Sequence, residues 1–137
     1  METLNKMQMS IKEKILKEYN DAIKMESEID CYMLRKRRYI VFWERIIKVE
    51  DIRQILDKAR AGVKKISPTQ WNTIIIVGET SERFDRKDLF FSDNVDTHAV
   101  FVLYNENDGN VYTNTSTVAP LGTGFKKYTN KIKELLM

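Results

Sequence analysis

No glycine or proline occurs before Gly62. A stretch of that length without either residue lacks the usual punctuation of turns and reads as mainly helical. Ser10 and Glu13 stand at capping-box spacing, so a helix is expected to start there. Ile11, Ile15, Tyr19, Ala22, Ile23, Ile29 and Met33 recur at helical spacing and carry that helix to about Leu34. Ile11, Ile15, Ala22, Met25, Ile29 and Tyr32 also fit the a and d positions of about three heptads, with Glu18 as the exception. So long an amphipathic helix has more apolar stripe than a small sheet can cover. Those six residues are the candidate partner-binding or homo-oligomer face. Residues 1–34 are then an extended helix belonging to a single domain over 1–137.

Residues 35–49 fit two readings. Tyr39-Ile40-Val41-Phe42-Trp43 is β-branched or aromatic throughout and suits a buried strand. No turn residue separates it from its neighbours, which favours helix. Asp51 and Gln54 repeat the capping-box pattern, and Ile52, Ile55, Leu56 and Ala59 form a clean helix face. Gly62 stands where a C-terminal left-handed cap belongs. Ser67-Pro68 closes the helical half.

The second half changes period. Ile74–Val77 predicts a central strand, and Glu79–Asp96 a polar linker with one helical turn near Phe84–Phe91. The apolar run Ala99–Tyr104 predicts a strand buried on both faces. Asn107-Asp108-Gly109 supplies turn chemistry, and Val111–Val118 the returning strand, ended by Pro120 and Gly122. Phe125, Tyr128, Ile132, Leu135 and Leu136 line a C-terminal helix. The expected fold class is α+β. A helical N-terminal half packs on a small, mostly antiparallel sheet of three or four strands, followed by a C-terminal helix.

At 137 residues with 42% hydrophobic content the chain can bury a core unaided. Cys31 is the only cysteine, so no intramolecular disulfide forms. With no signal-like apolar stretch near Met1 and no run long enough to span a membrane, a soluble, cytoplasmic protein is expected. The net charge is +3, but it is laid out in blocks. Residues 1–66 carry 16 Lys and Arg against 11 Asp and Glu, residues 67–108 carry 3 against 8, and residues 109–137 carry 4 against 1.

Three constellations carry candidate chemistry. Arg35, Lys36, Arg37 and Arg38, with Trp43 and Arg45 nearby, suit phosphate neutralisation and base stacking. On a helix four successive side chains point in four directions, so the competing reading is a solvated stretch. Glu79, Glu82, Asp85, Asp88, Asp93 and Asp96, followed by His98, resemble in composition a Mg²⁺-dependent phosphodiester site. Their spacing matches no such motif, no Glu-x-Lys follows, and Arg83, Arg86 and Lys87 can pair with them. His98 beside Asp93 and Asp96 has a base's surroundings but no Ser or Cys nucleophile in pattern with it. Gly122-Thr123-Gly124 before Lys126 and Lys127 fails the phosphate-loop pattern. Cys31 reads as a small buried residue. No catalytic residue, metal-ligand set or cofactor is assigned.

The leading expectation is therefore a non-catalytic protein-interaction or regulatory subunit of a larger intracellular assembly. The first alternative is a nucleic-acid-binding module using Arg35–Arg38, with Lys126, Lys127 and Lys131 in support. The second is a small metal-dependent nucleotide or phosphodiester enzyme built on the Glu79–His98 segment.

Overall fold

The computed structural model describes residues 11–68, 72–89, 98–113 and 125–136. Helix α1 covers residues 11–18 and stops there. Strands β1 (Ile23–Lys24), β2 (Asp30–Arg35) and β3 (Arg38–Phe42) follow. A 3-10 turn at Val49–Asp51 leads into α2 (Ile52–Ile66), then β4 (Thr73–Thr80) and a second 3-10 turn at Arg86–Leu89. Strands β5 (His98–Asn105) and β6 (Val111–Thr113) precede α3 (Phe125–Leu136).

The six strands form one sheet in the order β1-β2-β3-β4-β5-β6. The β3–β4 and β4–β5 pairs are parallel, and the outer pairs are antiparallel. This corrects three expectations. The N-terminal half is not helical throughout, because residues 23–42 form a three-stranded meander between α1 and α2. The sheet has six strands rather than three or four. It is mixed rather than mostly antiparallel. The overall class is mixed α+β. Ser10, Pro120, Gly122 and residues 114–118 lie outside the described residues.

Local chemistry explains the meander. Asn20-Asp21 sits where α1 ends, and the Ala22 N–H closes that turn on the Tyr19 carbonyl at 3.0 Å. Tyr39, Ile40, Val41 and Phe42 are all buried, so β-branched and aromatic side chains fill both faces of β3. The β2–β3 connection is a two-residue loop, Lys36-Arg37, between paired Arg35 and Arg38. Arg37 takes φ 67°, a left-handed conformation that costs a non-glycine residue about 1 kcal/mol. Thr73 holds it there. Its N–H donates to the Arg37 carbonyl at 2.9 Å and its hydroxyl to the same oxygen at 3.3 Å.

Two cores lie on opposite faces of the sheet. On one, Ile52, Leu56, Ala59 and Val63 of α2 meet Val41, Ile74, Ile76 and Phe101. Phe84 and Leu89 of the β4–β5 connection join the same core. On the other, Ile15 of α1 and Ile132 and Leu136 of α3 cover Ile40, Ile75, Val100 and Val102. Each fully buried Ile, Val or Phe contributes about 1.5–3 kcal/mol. Lys12 also pins α1 to the sheet, donating to Asp30 at 2.5 Å beneath the rings of Tyr32 and Phe42. Burial tends to lower the Lys12 pKa, but the Asp30 hydrogen bond and charge raise it overall.

Gly62 is not a helix cap. It lies inside α2, which continues to Ile66. A Cβ there would stand 2.5 Å from Ile29 Cδ1, so the missing side chain lets the β1–β2 loop press against the helix. This makes a coupling testable by urea denaturation. In an Ile29→Ala background, Gly62→Ala should stabilise by about 1 kcal/mol, the helix-propensity difference. In the native chain that gain should be lost to displacement of Ile29. Equal effects in both backgrounds would refute the packing role.

Candidate functional site

At the amino-terminal edge of the parallel strands, Arg38, Thr73 and His98 share one register row. The β2–β3 tip stands at this edge, with Arg35, Lys36 and Arg37 exposed and Arg38 half-buried behind them. The two-residue turn sets Lys36 and Arg37 in the loop and brings Arg35 and Arg38 opposite one another across the strand pair. The last turn of α2 reaches the same edge. Asn72 Nδ2 donates to the Ser67 carbonyl at 2.9 Å, and Thr73 then grips Arg37. Lys64 and Lys65, both exposed, belong to that last turn. Cations there also complement the helix dipole, which is a purely structural use for them.

No acid interrupts either segment. The sequence has none from Cys31 to Trp43 and none from Lys58 to Gly78. Among the described residues, Arg35, Lys36, Arg37, Lys64 and Lys65 take part in no ion pair. Arginine's planar fork suits phosphate oxygens, and uncompensated cations release counterions when a polyanion binds. The four tip residues were visible in the sequence. Lys64 and Lys65 were missed, although the acid-free run from 58 to 78 was a usable signal.

The stripe expected to receive a partner is split between the two faces. Ile15 is fully buried, and Ile11, Ala22 and Tyr32 are partly buried against the same core. Met25 and Ile29 pack against the opposite core. The structure therefore does not bring the six residues together on one surface.

The acidic segment is also dispersed. Glu79 pairs in register with Tyr104, whereas His98 pairs with Thr73. Six residues of strand separate them, about 20 Å. Glu82 accepts the Val49 N–H at 3.1 Å, and Asp88 accepts the Asp85 N–H at 2.7 Å, so both staple loops. Glu79 has its carboxyl pKa raised by burial and by the charge of Glu106. Asp93, Asp96 and Gly122–Gly124 lie outside the described residues. Among those described, no three His, Cys, Asp or Glu side chains gather where they could hold a metal ion.

Among the described residues the strand order shows no switch point of the kind that opens a nucleotide crevice in α/β folds. Such a crevice opens where strand order reverses and the connections change face. Here β3, β4 and β5 are sequential, and the described part of the β4–β5 connection packs on the same face as α2. Among the described residues no helix is long and apolar enough to cross a membrane. No protein-family model, curated protein or solved structure matches the chain.

Proposed function

We propose that this domain binds nucleic acid, using the β2–β3 tip as its phosphate-contacting element. One observation carries the reading: Arg35, Lys36 and Arg37 are exposed at a turn that Thr73 ties down with two hydrogen bonds, and none of the three forms an ion pair among the described residues. Rigidity matters because a preorganised loop pays less ordering entropy on binding. Lys64 and Lys65 extend the basic surface along the same sheet edge. The interaction-subunit reading rested on a surplus helical stripe, and α1 as described ends at residue 18 with Ile15 inside the core.

The test is anisotropy titration of a labelled oligonucleotide across a salt series. The triple change Arg35→Gln, Lys36→Gln, Arg37→Gln removes three phosphate contacts. The slope of log affinity against log salt should become shallower by about 2 to 3. Affinity in about 50 mM salt should fall on the order of 100-fold. Circular dichroism should not change, since all three side chains are exposed. Unaltered binding by the triple variant, or no binding by the native protein at low salt, refutes the proposal.

A further inference from the structure

A groove of about 520 Å³ runs between the β1–β2 loop and the outer side of α2. Its apolar part is Ala61 with Ile29, Trp43 and Ile66, the last three half-buried against the α2-side core. Lys58 and Lys65 stand on the helix wall, and Glu26 and Glu28 on the loop wall. Seven residues separate the lysines, so they share one helix face about 10 Å apart. Among the described residues neither lysine forms an ion pair, so the oppositely charged walls face one another without closing. The volume is in the range of small-molecule sites.

We propose that this groove receives an unpaired base of a single-stranded nucleic acid. The proposal rests on the phosphate-binding reading above and deepens it by naming the strand type. The occupant follows from three features. An aromatic ring at the apolar end offers a stacking platform, and every base has a face to stack on it. The lysine wall is continuous with the basic edge, because Lys65 belongs both to the groove and to the last turn of α2 beside Ser67 and Asn72. A strand that crosses the tip can therefore keep its phosphates on cations while one base turns inward. The carboxylates of Glu26 and Glu28 accept hydrogen bonds from exocyclic amino groups, which cytosine and adenine present and thymine lacks. Double-stranded DNA keeps its bases stacked and cannot fill the groove.

The test uses the full chain carrying Trp71→Phe, so that tryptophan emission reports Trp43 alone. Single-stranded oligonucleotides on the order of 12 nucleotides should quench that emission and bind about tenfold tighter than the matching duplex. Oligo(dC) should bind about fivefold tighter than oligo(dT). Lys58→Gln, at an exposed groove position outside the basic edge, should weaken single-strand binding about fivefold and duplex binding far less. If duplex and single strand bind equally, with tip-dependent affinity and unchanged emission, the groove assignment is wrong while the tip reading stands. If neither binds at low salt, both fall.

Discussion

Val41→Asp is expected to leave no folded protein at room temperature. Val41 is fully buried in β3, paired with Cys31 on one side and Ile76 on the other. Its side chain enters the core beneath α2. An ionised carboxylate there loses its hydration and finds no partner, at a cost of several kcal/mol. Loss of the valine's burial adds about 1.5 kcal/mol or more. A domain of this size has only about 5–15 kcal/mol of total stability. The control is Ile23→Asp on the two-residue edge strand β1, where the side chain is 57% exposed. That change should stay within about 0.5 kcal/mol of the native value. Circular dichroism and urea titration of the two variants decide the matter. A folded Val41→Asp protein with near-native stability would show that residues 38–42 are not an inner strand.

That strand is also where the sequence was least legible. The inference from an absence of glycine and proline to a helix assumes that turns need those residues. Here Asn20-Asp21 makes one turn, and Glu26-Ser27-Glu28 lies in another connection. The tightest turn is imposed on Arg37 by hydrogen bonds from Thr73, 36 residues away in the chain. No local reading contains that information. The strand signal was also hidden, because β3 is covered on both faces and shows no alternation between apolar and polar residues. The heptad pattern over Ile11–Tyr32 was a coincidence of spacing, drawn from one short helix and the two sides of a sheet. Strands β4 and β5 were legible for the opposite reason. Runs such as Ile74–Val77 and Ala99–Leu103 are short and apolar like Tyr39–Trp43, but polar and turn-forming residues bound them, which favours inner strands. Gly109, at φ 72°, marks the β5–β6 turn where the composition put it.

The candidate site was legible by residue and not by shape. Arg35–Arg38 draw notice as a run in any setting, but whether four cations converge or diverge depends on the backbone beneath them. Lys64 and Lys65 join them only because α2 runs antiparallel to β4 and returns its C-terminus to the same edge, a tertiary fact. Trp43 and Ile29 line one groove because Gly62 admits the loop that carries Ile29.

Raising the pH should destabilise the domain sharply, and Cys31 should account for much of the fall. Cys31 lies on β2 with no exposed surface. Burial, then the neighbouring charge of Asp30, pushes its thiol pKa from 9.0 up to about 12. The folded protein therefore keeps the proton over a range in which the unfolded chain releases it. The unfolded state then binds fewer protons, so stability declines as pH rises. The stabilisation is fully present below about pH 9 and is lost progressively toward about pH 12, at up to about 1.4 kcal/mol per pH unit. Burial, with Tyr128 and Glu18 nearby, raises the Tyr19 phenol in the same direction to about 12. Its share begins only above about pH 10. Cys31→Ala carries a packing cost of its own, but that cost does not vary with pH. The informative quantity is thus the slope of urea stability against pH between about 9 and 10, where only the thiol contributes among these two groups. The slope should be steep in the native protein and nearly flat in Cys31→Ala. The same burial implies that a thiol reagent near neutral pH reaches Cys31 only through opening of the sheet. Its reaction should be at least about 1,000-fold slower than in urea-unfolded chain. Matching slopes in the two proteins, or rapid labelling of the native one, would place Cys31 at an accessible surface and overturn the packing of β2 between β1 and β3.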